Sequence, residues 1–497
     1  IEENPGNVVR WIIATDGTAP YAQQIQGTRY RVAYRNPAKA GEDEHVLAWE
    51  KAKQAGMPTW IALPGMDWDD PQVRPLGLGN DNSVLYVSRL NEHGRWAVYP
   101  YDVSSHKFGK VILEDKDYDI VPQTNAPGRT GLIYSPDRKQ VLGIRYQKAY
   151  PRVYWLDQGL GEVQAGLNQA LKGKVNDIVS MSDDLQKLVI HSRSDRDAGT
   201  YYYFDREKQS LSPLMQSTPW IKEDQMSKMR PLKFKARDGV TIHGYMNLPV
   251  GLKPKNLPVV VLNNGGYWTR NTWYFDRSVQ FFTNRGYAVL RVNTRGTSGY
   301  GDEFKKMGYR KTQDAMADLA DAVQWAVSKK LVDPNRVAII GEGAMSGIRT
   351  LSALAQHPDT FACSIVNAPY SDWREVIHRD RYYGDTLAEM RERIGEPSDP
   401  NDPISRISPI QMVDQIKAPI LITVTASVKP RYFPFIKKLI KGLKNSGSIV
   451  EFNDDYDSKF GYENYGKWLD DAEAFMAFYA TDRSEFTGGP KTAGSAK

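Results

Sequence analysis

The sequence holds one cysteine, Cys363, in 497 residues. A single thiol excludes an internal disulfide framework and any metal site built from several cysteines. Histidine is scarce too: the seven are His45, His93, His106, His191, His243, His357 and His378, and none lies beyond 378. Long apolar runs are missing; none reaches the ~20 residues needed to span a bilayer. Charge of one sign is also in short supply. The net charge is +6, from 65 basic and 59 acidic residues, with no block of like charge long enough to hold nucleic acid by electrostatics alone. Gly (40) and Pro (29) stay below low-complexity or collagen levels. With 41% apolar and 25% charged residues, disorder over most of the length is excluded. The length allows two to four domains at roughly 100–200 residues each.

Aromatic residues are plentiful, with 28 Tyr and 12 Trp, and favour β-structure. The first 220 residues or so alternate apolar and polar positions between turn clusters. Ser88–Asn91 with Arg95–Asp102, then Arg152–Asp157 and Thr200–Asp205, read as aromatic-rich strands, the last three ending in Asp before a polar turn. These aspartates are 55 and 48 residues apart, the spacing of one propeller blade per repeat. Leu132–Asp137 and Asp177–Asp184 look like inner strands and turns of such blades. Residues 1–220 are therefore expected to form about four blades, a generic β-sandwich array being the plainer alternative. Trp60, Trp68, Trp96 and Trp155 offer stacking platforms for a sugar or lipid, although blade aromatics more often belong to the core.

From about Met229 the pattern changes. Pro258–Asn263, Gly286–Asn293, Arg336–Gly341, Phe361–Asn367 and Ala418–Val424 are continuous apolar strands separated by helical stretches, which means a parallel sheet covered on both faces. Gln313–Lys329 places Met316, Leu319, Ala320, Val323 and Ala326 at helical spacing. Residues 221–480 are expected to form this α/β domain, and 481–497, rich in Gly, Lys and small residues, a disordered tail.

The order of motifs resembles the prolyl oligopeptidase family of serine peptidases, notably its acylaminoacyl-peptidase-like and dipeptidyl-peptidase-like bacterial members. Arg237–Tyr245 (RDGVTIHGY) looks like the entry into the hydrolase domain. Asn264-Gly265-Gly266-Tyr267 stands where the family has His-Gly-Gly-Pro. Asn293–Gly301 (NTRGTSGYG) is close to Asn-x-Arg-Gly-Ser-x-Gly-Tyr-Gly. Ser371–Trp373, Tyr382–Gly384 and Ile407–Pro409 also match, as do Asn4–Gly6, Ser194-Asp195 and Tyr202–Asp205 upstream. The resemblance implies a β-propeller followed by an α/β-hydrolase domain. The family's propeller usually has seven or eight blades, and the first residue is Ile1 rather than Met. The sequence is therefore expected to be a fragment, a naturally short propeller being the alternative.

A hydrolase of this kind needs Ser, Asp and His in chain order, the serine on a Gly-x-Ser-x-Gly turn between strand and helix. The histidine takes the serine's proton and the carboxylate orients the histidine. Here the turn reads Gly341-Glu-Gly-Ala-Met-Ser-Gly347. Counting forward from the strand puts Gly343 at the nucleophile position; counting back from the helix puts Ala344 there. Val428 occupies the Asp position, and no acidic residue occurs between Asp414 and Glu451. Phe460, or Lys459 after a shift by one, occupies the His position, and with no histidine after His378 no register restores the base. The resemblance therefore implies a member without an intact triad. Ser346 lies two positions past Ala344, turned away by ~200° on a helix, and reads as a small packing residue. His243 reads as structural, Cys363 as core, and Asp454, Asp455 and Asp457 as a solvated acidic loop rather than a metal site.

This leaves two functions. The first is a non-catalytic binding or assembly subunit for a peptide-like ligand or a partner chain, in a homo- or hetero-oligomer. It would use Asn264, Gly265, Gly266 and Tyr267 beside the former oxyanion site, Arg295 from the Asn293–Gly301 motif, and Trp268, Arg270 and Trp273 around the cavity. The alternative is an active serine-type peptidase or acylaminoacyl hydrolase with a rearranged site. Neither implies a cofactor, a metal, nucleic acid or a membrane span. Export of related bacterial proteins points towards the periplasm.

Overall fold

The computed structural model describes residues 8–26, 29–35, 60–68, 73–79, 82–120, 131–263, 269–380, 385–425, 429–456 and 462–480. The first half is mostly β. Strands β1 (Val8–Ile12), β2 (Tyr21–Gln26), β3 (Arg29–Arg35) and β4 (Trp60–Ala62) form one antiparallel sheet. Strands β5 (Arg74–Gly79), β6 (Val84–Leu90), β7 (Trp96–Asp102) and β8 (Lys107–Phe108) form a second. Strands β9 (Leu132–Tyr134), β10 (Val141–Gln147) and β11 (Pro151–Trp155) form a third. Strands β12 (Val175–Met181), β13 (Lys187–Arg193), β14 (Thr200–Asp205) and β15 (Ser210–Gln216) form a fourth. Consecutive strands pair in each, as in propeller blades. Apolar side chains of neighbouring sheets meet: Leu78, Leu85 and Val87 of the second pack with Ile12 and Val32 of the first.

The strand-ending aspartates organise the segments after them. Asp102 accepts from Ser105 N at 2.7 Å and from the Ser104 and Ser105 hydroxyls, which holds a tight turn. Asp157 departs from the expected polar turn. It accepts from Leu160 N at 2.7 Å and caps a helix, α1 (Gln158–Ala170), whose Leu160 and Leu167 are buried against the fourth sheet. An aspartate at a strand end serves equally as a turn acceptor or a helix N-cap; apolar residues at Leu160, Val163 and Leu167 decide for the helix. Trp60 and Trp96 are core residues at 7% and 3% exposure, and Trp155 packs beside the Leu142–Leu160 cluster. Trp68 is half-buried, with the Arg31 guanidinium 4.8 Å above its ring. Trp60 and Trp96 thus serve the core, the use favoured for blade aromatics.

The second half is built on an eight-stranded sheet. Its strands are β16 (Met229–Lys235), β17 (Thr241–Asn247), β18 (Leu257–Leu262), β19 (Ala288–Asn293), β20 (Val332–Glu342), β21 (Cys363–Asn367), β22 (Ile420–Thr425) and β23 (Val450–Tyr456), in the spatial order β16-β17-β19-β18-β20-β21-β22-β23. The two β16 and β17 pairings are antiparallel and the rest parallel. Alternate residues of the apolar strands serve opposite faces. Val259, Val261, Ile339, Ile420 and Ile422 pack under helices α4 (Thr312–Ser328), α5 (Ala344–Gln356) and α8 (Lys429–Asn445). Val260, Leu262, Ile340 and Leu421 pack under α2 (Arg277–Asn284) and α9 (Tyr462–Tyr479). Three further helices among the described residues belong to the domain: α3 (Asp302–Lys306), α6 (Trp373–Asp380) and α7 (Asp385–Ile394). Cys363 is fully buried in this core. No helix among the described residues is long and apolar enough to cross a membrane. The expected tail, 481–497, lies outside the described residues.

Candidate functional site

Strands β18, β20, β22 and β23 run parallel, so Asn263, Gly343, Thr425 and Tyr456 stand along one edge of the sheet, the edge at which open α/β sheets bind ligands. At its centre β20 turns sharply into α5. Two glycines permit that approach: a Cβ on Gly341 would stand 2.6 Å from the Thr350 hydroxyl, and one on Gly347 would stand 2.6 Å from Pro369. Asn263 ties β18 to the turn by donating to Thr350 Oγ1 at 3.0 Å. Gly343 forms the tip. Its φ is +86° and ψ 166°, a region nearly closed to other residues, it is exposed, and a side chain there would meet open space. Ala344 is already helical, and its methyl packs towards Ile348, Tyr370 and Trp373. Of the two residues left open by counting, Gly343 holds the exposed left-handed tip and Ala344 begins the helix.

Val428, Phe460, Lys459 and the Asn264–Tyr267 loop with Trp268 lie outside the described residues. Ser346 is buried at 3% exposure inside the first turn of α5. His357 closes α5 at its far end, about 20 Å along the axis from Gly343 at 1.5 Å per residue, too far to serve a hydroxyl at the tip. Burial pushes the His357 pKa down.

Beside the tip lies a polar cluster that sequence reasoning missed. Glu342, the residue before Gly343, faces the Tyr465 hydroxyl at 3.4 and 3.5 Å, and that hydroxyl bonds Ser278. Burial, reinforced by the nearby Asp276 charge, pushes the Glu342 carboxyl up to about 7. Asp276 caps α2 and pairs with the buried Arg291 at 2.8 Å. An acidic residue at the end of an otherwise apolar buried strand was the available signal.

Arg295 is committed elsewhere. It is 5% exposed, pairs with Asp318 at 2.7 Å and Asp238 at 2.6 Å, and has Asp314 at 3.8 Å. Its guanidinium donors thus point at carboxylates of its own domain. Arg270 and Trp273, expected around the cavity, are each 6% exposed. The Arg270 guanidinium stacks over Tyr300 at 4.4 Å and Tyr118 at 5.2 Å and donates to the carbonyls of Gln147 (3.2 Å), Lys148 (2.7 Å) and Gly299 (3.4 Å). Trp273 meets Tyr150 edge-on at 5.6 Å. Both close the seam between the β half and the α/β half. His243 lies in the same seam, stacked on Tyr300 at 4.3 Å, and burial with Lys233 and Arg270 nearby drives its pKa down to about 4. It is neutral at physiological pH and structural.

An open groove of about 550 Å³ runs beside β15, lined by Lys174, Asp197, Tyr202, Leu214, Met215 and Glu223 among others. It contains none of the expected site residues.

Residues 273–481 match the profile of the prolyl oligopeptidase family. The chain is 28% identical over 433 residues to dipeptidyl aminopeptidase BIII of Pseudoxanthomonas mexicana, covering 85% of this chain and 59% of that protein. It is 28% identical over 344 residues to dipeptidyl peptidase family member 6 of Caenorhabditis elegans, covering 64% and 44%. The chain thus spans about half the length of these curated relatives. A solved puromycin-hydrolyzing peptidase of Mycobacterium tuberculosis superposes with a TM-score of 0.72 over 96% of this chain and 71% of that one, at 17% identity. That likeness establishes the fold, a propeller-type β half followed by an α/β-hydrolase domain.

Proposed function

Because the chain belongs to the prolyl oligopeptidase family, we propose that it is a peptidase homologue without a Ser-Asp-His triad, and that it works as a binding or assembly subunit. The observation that carries this reading is Gly343. The turn that would present a nucleophile keeps its backbone, its flanking glycines and its exposure, and the residue at its tip has no side chain. No histidine is available at the base position, since the sequence holds none after His378, and the Ser-His-Asp route uses one beside the hydroxyl. Val428 and Phe460, hydrocarbon at the acid and base positions, complete the reading. Donors of an oxyanion site can persist as backbone N–H groups, but they stabilise charge only after a nucleophile has attacked.

The ligand in this reading is peptide-like, as the names of the relatives suggest, held along the sheet edge that carries Asn263 and Gly343 and near Asn264–Tyr267. Arg295, saturated by carboxylates, is assigned a structural role instead. The subunit would act within a homo- or hetero-oligomer. A fluorophosphonate probe, which labels activated serines, together with aminoacyl chromogenic substrates, tests the reading on the chain as it stands. No labelling and no turnover above background are expected. Stoichiometric labelling of any serine, or turnover, would establish instead the active hydrolase with a rearranged site.

A further inference from the structure

Helix α8 holds six Lys and Arg residues and no Asp or Glu. The net charge of the whole chain is +6. The other 59 basic residues face 59 acidic ones, so the chain's excess positive charge equals that of this one helix. The helix is amphipathic. Ile436, Leu439 and Leu443 enter the core at 0% exposure. At 100° per residue, Lys437, Lys438, Lys441 and Lys444 fall together on the opposite side, and all four are exposed. Phe435, 46% exposed, borders the lysines. The Lys437 ammonium rests 4.4 Å from the Phe433 ring. Among the described residues no ion pair neutralises any of the four lysines; the nearest lysine pair in sequence is Lys417 with Asp359, at 3.7 Å.

We propose that this face of α8 docks on an anionic phospholipid surface, the helix lying flat with its lysines among the headgroup phosphates and Phe435 entering the interfacial layer. The apolar face of the helix is spent on the core, so the attraction here is electrostatic: a lysine cluster is drawn to anionic headgroups, and the bordering ring adds a contact with the interfacial layer. The charge complementarity selects this occupant. Ammonium groups are hydrated point charges suited to a diffuse anionic plane, whereas recognition of nucleic acid favours arginine forks and several stacked rings. The described exposed cations of this face are all lysine, and two rings, Phe433 and Phe435, accompany them. Each lysine brought to an anionic surface strengthens partition about five-fold. The inference is independent of whether the sheet-edge site is catalytic.

Sedimentation of the full chain with vesicles of phosphatidylcholine containing about a third phosphatidylserine tests it, against pure phosphatidylcholine vesicles, at about 0.1 M and about 0.5 M salt. Binding is expected to the anionic vesicles alone and to fall at high salt. The triple variant Lys437→Gln/Lys438→Gln/Lys441→Gln should lose about 100-fold in partition. Phe435→Ser should lose several-fold while keeping the salt dependence. All four side chains are exposed, and unchanged thermal unfolding verifies that the variants fold. Equal binding to both vesicle types, no binding to either, or an unaltered triple variant would overturn the proposal. So would tighter binding of single-stranded DNA or polyglutamate than of anionic vesicles at equal salt.

Discussion

Asp119 of the β half accepts the main-chain N–H of Gly301 in the α/β half, at 3.1 Å. The same carboxylate oxygen takes Gly299 N at 3.0 Å, while the other oxygen takes Trp96 N at 3.1 Å. Burial pushes this carboxyl's pKa up against these three donors. Gly299 and Gly301 have φ of +97° and +95°, and a Cβ on Gly301 would collide with the Arg95 guanidinium. The Asn293–Gly301 motif is therefore the fastener between the two halves. Asp119→Ala would strand three buried N–H groups. A loss of about 3 kcal/mol is expected, and in urea the two halves should unfold at separate midpoints, observed by far-ultraviolet circular dichroism and tryptophan fluorescence. Coincident, unshifted midpoints would contradict this. Asp119→Asn, which keeps one acceptor oxygen, should be milder.

Arg295 offers a second test, because its motif suggested ligand binding while its neighbours are all carboxylates. Asp318 is fully buried beside it. Replacing Arg295 with Met would leave that carboxylate unpaired, at a cost of about 3–5 kcal/mol. The double variant Arg295→Met/Asp318→Leu should recover much of the loss, since no uncompensated charge remains. Denaturant midpoints of the two variants decide it; equal destabilisation of single and double variants would contradict the pairing.

Periodicity carried the α/β half. Val259 and Val261 on one face and Val260 and Leu262 on the other make a run that only a doubly covered strand explains, and Met316, Leu319 and Val323 mark α4 in the same way. Motif order carried the family. The hidden features depended on partners distant in sequence. Asp119 looks like any acidic loop residue until Gly299 and Gly301 arrive 180 and 182 positions later. Arg270 and Trp273 read as cavity residues because polar and aromatic side chains near a binding loop usually are, and the carbonyls of Gln147 and Lys148 claimed Arg270 instead. Asp157 had two local uses, turn or cap, and the apolar spacing beyond it was the overlooked signal. The choice between Gly343 and Ala344 could not be made by counting, because only the backbone reveals which residue takes the positive φ.

Glu342 gives the structure a pH dependence. Its carboxyl ordinarily titrates near 4.5 and is raised by burial to about 7. The folded state thus holds the proton more tightly than the unfolded chain. Stability from this group is complete below about 4.5 and is lost as pH climbs through about 7. Glu342→Gln is uncharged throughout and still accepts from Tyr465. It should match the parent at about pH 4 and exceed it by on the order of 3 kcal/mol at about pH 8. Melting temperatures across that range check the prediction, and a constant difference at all pH values would contradict it.

Gly343 allows the proposed absence of a nucleophile to be tested apart from the proposed absence of its partners. The tip has room for a side chain, since a Cβ there meets nothing within 4 Å, but its φ of +86° disfavours any residue other than glycine. Gly343→Ala should therefore cost roughly 1–2 kcal/mol through backbone strain alone, without a packing defect. Gly343→Ser should cost about the same and place a hydroxyl at the exposed end of β20. That hydroxyl would lack a histidine at the family's base position, because the chain beyond His378 contains none, and His357 stands at the opposite end of α5. The serine variant should thus resist fluorophosphonate labelling as fully as the parent, with thermal unfolding verifying that it is folded. Rapid labelling of the folded serine variant would mean that an unrecognised base reaches the tip, and that one substitution separates this chain from chemistry. Absence of labelling would place the defect in the whole proton relay, where restoring one member achieves nothing.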